Sequence, residues 1–465
     1  MKKLCLSIIL VFLFITYFPY KVVNATEHQY YTFLLKDEKN FSDIKRLIDN
    51  TNGRIIYEVR ELGLFQIEAS SKTVAQIAQS PLVETYNPSL RLKELETEKN
   101  VTVSKKPEER SAWDLQWDMK QITNNGESYK LFSGTKNVTV GIIDSGIDVN
   151  HRDLQNNIVT GSKNLVPMGG FQGAEPYETG DPDYLNDNLG HGTHVAGQIA
   201  ANGIVKGVAP GIGIKSYRIF GKKSSELIWV IKAIVEAAKD NNDVINLSFG
   251  EYLVKGAKVI DGKKQTGDLA EIQAYQKAIN FAHKKGSVIV AAAGNDALNV
   301  KDKIQMTSFL QQKMKKDNVN YIGEILDVPA ALSKVITVAS VGPSDELSLF
   351  SNYGLGFIDI AAPGGDFRLL KENNLDDYNK YGLFKKEQIL STWPDNDYFF
   401  TSGNSIASAK VSGALALIID KYHLKKQPNK STRFLYKYGV NKRGDTSLYG
   451  NGTLNIYKML SKQKK

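Results

Sequence analysis

Gly403-Asn404-Ser405-Ile406-Ala407-Ser408-Ala409, continued by Lys410-Val411-Ser412-Gly413-Ala414-Leu415-Ala416-Leu417-Ile418-Ile419, is a small polar turn running straight into a long apolar segment. Nearly every face of a helix built from it is apolar or small, so the helix is expected to be buried on most sides. Gly403 permits a tight entry, and Ser405 stands where the helix begins. A hydroxyl at that point meets the positive end of the helix dipole and backbone N–H groups without helical partners. Taken alone, such a serine is accounted for as a helix N-cap.

Two further segments change that reading. They are Val138-Thr139-Val140-Gly141-Ile142-Ile143-Asp144-Ser145-Gly146-Ile147-Asp148 and Gly190-His191-Gly192-Thr193-His194-Val195-Ala196-Gly197. Asp144 ends an apolar strand, at the carboxyl edge of a sheet where ligand-handling groups collect. With His191 and Ser405 it completes an acid, a base and a nucleophile in the order Asp…His…Ser, the order that subtilisin shows among convergent triads. A fourth segment is Ala291-Ala292-Ala293-Gly294-Asn295. On these four ordered segments the chain resembles the subtilisin-like serine proteases, the subtilases.

The resemblance implies a mechanism. Ser405 attacks the scissile carbonyl, His191 takes its proton and later protonates the leaving amine, and Asp144 holds the imidazole tautomer and stabilises its cation. Asn295 matches the family's oxyanion-binding Asn, a donor contributing roughly 10²–10³ in rate, a value measured on subtilisin. Ser248-Phe249-Gly250 resembles the segment that pairs with the substrate backbone and walls the first specificity pocket. The motif selects His191 over His194, which is expected to be a hydrogen-bonded core residue. A metal reading of the two histidines needs a further ligand and a Glu after the first, where Gly192 stands. Asp148 and Asp153 read as loop or cap residues.

Some positions depart from the family. Asn404 and Ala409 stand where it usually has Thr and Pro, and Lys410 lies in an otherwise apolar helix, where an ammonium needs an exit or a partner. Segment 198–206 is shorter than the loop that wraps the best-known subtilase calcium ion, and Asp153 matches only one ligand. No cofactor is expected for catalysis, and the place of any structural Ca²⁺ is left open.

Along the rest of the chain, apolar runs at 138–143, 214–219, 243–248, 287–292 and 335–341 alternate with helical patterns at 194–201, 227–239, 269–284 and 408–421. That alternation predicts an α/β fold, a mostly parallel sheet with helices on both faces. Loops are expected at 164–186, 251–267, 298–328 and 364–390. Ahead of this part, residues 28–92 read β-α-β-β-α-β, a small α+β ferredoxin-like unit. By resemblance it is the propeptide that assists folding and plugs the cleft until cut.

The 465 residues allow a large core with a smaller companion, and 42% hydrophobic and 23% charged residues are ordinary for a globular protein. The first segment has Lys2 and Lys3, an apolar run from Leu4 to Phe18 and a Val23-Asn24-Ala25 exit, a secretory signal peptide. The single cysteine, Cys5, lies inside it, so disulfide and thiol chemistry are excluded from the mature chain. The expected order is therefore signal 1–25, propeptide 26–92, a charged cleavable linker 93–111 and a catalytic domain 112–465. Maturation is expected between Arg110 and Ser111 or between Asn100 and Val101. The net charge of +9 suits solubility or loose adhesion to an anionic bacterial cell wall, and no basic–aromatic pattern argues for nucleic acid. A secreted monomer is expected.

Glu175, Glu178, Asp181, Asp183 and Asp187 form an acidic run leading into His191, and Asp296 follows the oxyanion Asn. Carboxylates bordering the first pocket favour Arg or Lys in the substrate. With the signal, propeptide and long loops, this resembles the lantibiotic leader peptidases, exported subtilases that remove the leader of a modified antibacterial peptide. The alternatives are a broad degradative subtilisin and a catalytically silent binding protein.

Overall fold

The computed structural model describes residues 29–93, 109–222, 224–260, 262–314 and 319–463. The signal segment with Cys5, most of the expected linker and the bond between Asn100 and Val101 lie outside them.

Alternation along the N-terminal strands explains how the first unit sits on the rest. The strands Gln29–Leu35, Arg54–Val59, Leu64–Ala69 and Val83–Pro88 form one antiparallel sheet, with the first flanked by the third and fourth and the second at the edge. Phe33, Leu35, Phe65 and Ile67 point to the helices Phe41–Asn50 and Ser71–Ala78 and make a core of their own. Their neighbours Leu34 and Leu64 point the other way and join a core of the large domain. A strand alternates faces every residue. A sheet apolar on both faces therefore needs two partners, and the second is the pair of helices Leu227–Lys239 and Leu269–Lys285.

The large domain is built on a nine-stranded sheet in the order 440–441, 453–454, 360–363, 335–341, 288–292, 244–247, 139–144, 213–218, 163–164. Its pairings are parallel except at the edge hairpin of the two last strands in the chain. Val140, Ile142, Val288 and Val290 face a core shared with the helices His191–Ala200 and Asn404–Lys421, while Ile143, Ile245, Ile289 and Ala291 face the opposite core. This is why those strands read as unbroken apolar runs. Asn404 through Ile419 are all buried, as the all-round apolar pattern predicts.

Two expected loops are structured. Residues 251–267 and 298–328 supply the strands Glu251–Ile260, Lys263–Thr266 and Val319–Val328 of a separate antiparallel sheet, and the helix Lys303–Met314. Tyr252, Val254, Met306, Leu310 and Ile325 form its small core. Exposed positions and lysines interrupt the alternation, and the register Glu251↔Val328 to Ile260↔Val319 is non-local, so no short window announces it. Segment 364–390 folds into three short helices, Arg368–Glu372, Leu375–Lys380 and Phe384–Glu387. Segment 164–186 is mostly irregular, as expected.

Candidate active site

The strand Thr139–Asp144 delivers Asp144, fully buried, beside the first residue of the helix His191–Ala200. Asp144 Oδ1 lies 2.7 Å from His191 Nδ1 and also accepts the Ser145 N–H at 2.8 Å. Burial works against the imidazolium, but the adjacent Asp144 carboxylate outweighs it and holds the His191 pKa above the ordinary value. Asp187 braces this pair. Its Oδ1 accepts from Gly190 N–H and Ser145 Oγ, each at 2.8 Å, and its Oδ2 accepts from Thr193 N–H and Oγ1 at 2.8 and 2.7 Å. It thereby satisfies first-turn donors that a helix leaves unpaired. Its position just ahead of Gly190-His191 is the signal that would have identified it.

Ser405, His191 and Asn295 border one cleft cavity of about 610 Å³. Gly403 serves this arrangement by space, because its backbone is extended (φ 162°) and needs no glycine. A Cβ there would stand 3.0 Å from Ser405 Oγ and 3.4 Å from Asn295 Nδ2. The nucleophile oxygen and the amide nitrogen therefore flank the same bare notch.

Ser248, Phe249 and Gly250 line the same cavity. The Ser248 side chain, however, turns inward: its Oγ donates to Ser405 carbonyl at 3.0 Å and accepts from Asn246 Nδ2 at 2.8 Å. Asp296 is exposed and borders the cavity, accepting from Tyr252 Oη at 2.5 Å. Below it lies Asp327, which sequence reasoning missed. It is 2% exposed, lines the cavity and accepts from Asn352 Nδ2 at 3.1 Å. Gly250 and Gly294 make room for it, since a Cβ on either would come within 2.7 and 2.8 Å of its carboxylate. Burial, reinforced by Asp296 and Glu251, pushes its pKa well above the usual carboxylate range. A lone acid inside Ile325-Leu326-Asp327-Val328 was the available signal, because a charge among apolar neighbours demands a purpose.

The acidic run is largely committed elsewhere. Glu178 forms a buried bidentate pair with Arg218, at 2.8 and 2.7 Å. Glu175 is buried beside Phe171 N–H, and Asp187 braces the histidine helix. Asp181 and Asp183 are the exposed members.

His194 is fully buried, with Nε2 near the carbonyls of Ile389 and Phe399, and burial lowers its pKa to about 3. It stays neutral in the core. Asp153 Oδ2 accepts from Val205 N–H at 2.9 Å and Tyr398 Oη at 3.1 Å, so protein donors hold the carboxylate that matched a calcium ligand. Among the described residues no three His, Cys, Asp or Glu side chains converge as a metal site.

Lys410 finds its partner in Asp118, at 2.9 Å with both side chains 0% exposed. Asp118 belongs to the helix Trp117–Thr123, so the pair ties the start of the large domain to the serine helix. Burial lowers the lysine pKa, against the pull of Asp118.

Residues 135–452 match the model of the subtilase family, peptidase S8. The chain is 42% identical to the epidermin leader peptide-processing serine protease EpiP of Staphylococcus epidermidis over 93% of both chains. It is 44% identical to the nisin leader peptide-processing serine protease NisP of Lactococcus lactis subsp. lactis, over 76% of this chain and half of that one. The crystal structure of EpiP from Staphylococcus aureus superposes with a TM-score of 0.82 and 41% identity, covering 94% of this chain and 100% of that one. That of NisP gives 0.69 and 44%, covering 75% and 94%. With its sheet, its Asp144–His191 contact and its cleft serine, the chain belongs to the subtilase family of serine proteases.

Proposed function

We propose that this chain is an exported processing endopeptidase, made as a zymogen, that cuts the leader from a precursor peptide after a basic residue. EpiP and NisP are named for removing leaders from epidermin and nisin, which supports the substrate class. The observation that carries the basic preference is Asp327 at the floor of the cleft, with Asp296 at its rim. A cationic side chain entering between them restores a charge that burial disfavours in the empty pocket, through charge-assisted hydrogen bonds.

The same cleft supports the zymogen reading. Arg91–Lys93 runs antiparallel to Ser224–Glu226, and Leu92 lines the cavity that holds His191 and Ser405. Arg91 also stacks on Phe171, and Tyr57 Oη donates to the Leu165 carbonyl at 2.9 Å, so the N-terminal unit touches the loop beside the cleft. A peptide substrate pairs with that edge once the segment leaves. Ser405 then attacks the carbonyl, His191 carries the proton from the hydroxyl to the leaving amine, and Asn295 with the Ser405 N–H receives the oxyanion.

The test is to incubate the processed chain with a peptide library and sequence the cut sites. Cuts concentrated after Arg or Lys are expected, and S405A should abolish both these cuts and self-maturation. Cuts spread over apolar residues would point instead to a broad degradative enzyme.

A further inference from the structure

Asn404 precedes the nucleophile, is fully buried, and has every polar side-chain atom engaged. Its backbone N–H donates to Asn295 Oδ1 at 2.9 Å, and its Nδ2 donates to the same oxygen at 3.1 Å. That Nδ2 also donates to the carbonyl of Gly294, and its Oδ1 accepts from Ser351 Oγ at 3.0 Å. Asn295 itself is exposed, on a loop at the cleft edge. An exposed amide is otherwise free to turn about its last bond, exchanging its oxygen and nitrogen. Here two donors from one buried residue hold the oxygen end, so the nitrogen end faces the notch beside Ser405 Oγ. We propose that Asn404 is a positioning residue, a bracket that fixes the Asn295 amide with its N–H toward the developing oxyanion.

This rests on the reading of Asn295 as an oxyanion donor. A hydroxyl at position 404 has one proton and cannot serve Gly294 and Asn295 together, whereas an amide has two. In a hydroxyl variant the residue-404 backbone N–H still meets Asn295 Oδ1, but the side-chain donor is lost. The amide is then held by one bond and part of its ordering moves into the reaction, and preorganisation is what gives such donors their effect. The loss belongs in kcat, because the interaction strengthens only in the transition state.

The experiment compares N404T, N404S, N295A and the double variant N295A/N404T. Turnover is normalised to sites labelled by a serine-reactive phosphonate, and melting temperature is recorded for each. The expected result is a kcat about tenfold lower in N404T, part of the 10²–10³ that a whole donor contributes. KM and the pH midpoint of kcat/KM should stay unchanged, since the Asp144–His191 pair is untouched. In the double variant kcat should equal that of N295A alone. N404S repeats the comparison should N404T melt early. Unchanged kcat in folded N404T and N404S, or a full additive loss in the double variant, overturns the proposal while N295A still falls. Unchanged kcat in N295A removes the oxyanion reading and the bracket with it.

Discussion

At the scale of single residues, the two carboxylates bordering the cleft differ in burial and partners, and on the proposed basic preference they should differ in how much each contributes. Asp327 is buried with one side-chain donor, and Asp296 is exposed and shared with Tyr252. Truncating one partner of a desolvated pair costs about 3–5 kcal/mol, whereas an exposed pair is worth about 0–1. D327N should therefore lower kcat/KM on a peptide with Arg at the cut site by about 10²-fold or more. The same variant should leave a Leu peptide nearly unchanged or improved, and D296N should have only a few-fold effect. Paired kinetics on the two peptides decide the matter; an equal loss on both would remove Asp327 from specificity. That Asp144 would meet His191 and that Ser405 and Asn295 would border the same cleft was legible in the chain, because each sits in a short motif with its own local geometry. Asp327 was not, because its place in the cleft depends on Gly250 and Gly294, which approach it from loops elsewhere in the chain.

At the scale of elements, the serine helix is anchored by a charge that its own sequence leaves unexplained. Lys410 has no partner within its helix; Asp118 arrives from a helix far earlier in the chain. Removing one member leaves the other buried and uncompensated. K410M should cost about 3–5 kcal/mol in denaturant unfolding of the processed chain, and K410M/D118L should recover most of it. A loss under about 1 kcal/mol for K410M would show that the pair is not ionised in the core. Helices were readable where one face or all faces are apolar, as at Leu227–Lys239, whose expected bounds coincide with the observed ones. The sheet of Glu251–Ile260 and Val319–Val328 was not, because cross-strand pairing and a covering helix stabilise it, not the strands' own pattern.

At the scale of the whole molecule, the face between the N-terminal unit and the large domain buries two carboxyls that no cation among the described residues pairs with. Glu271 meets Asn87 Nδ2 at 2.5 Å, with Thr32, Asp268 and Tyr275 around it; Glu226 meets Gln66 Nε2, with Tyr30 and Tyr57 nearby. The lysines that reach across this face among the described residues pair elsewhere, Lys277 with Glu84 and both Lys232 and Lys239 with Glu61. Burial raises Glu271 to about 8 and Glu226 to about 7, from 4.5. Groups with pKa raised in the assembled state take up protons on docking. Docking is thus strongest below about pH 4.5 and weakens as pH rises through 7 to 8, up to about tenfold per pH unit for each proton. Residues 26–92 should leave the processed chain faster at pH 8.5 than at pH 5.5 in gel filtration. E271Q and E226Q should flatten that dependence; a flat profile in the unaltered chain would show both acids ionised in place.

The parallel sheet, the α+β unit ahead of it and the chain order of Asp144, His191 and Ser405 could all be read along the chain. These follow from burial on both faces of short strands and from motifs whose parts lie within a few residues of one another. Which carboxylates reach the cleft, what balances Lys410, and which end of the Asn295 amide faces the notch beside Ser405 emerge only once the chain is folded. Each of those depends on side chains from separate elements meeting in a water-poor interior, where a partner's presence or absence changes the energy by several times RT. No local pattern along the chain encodes that meeting.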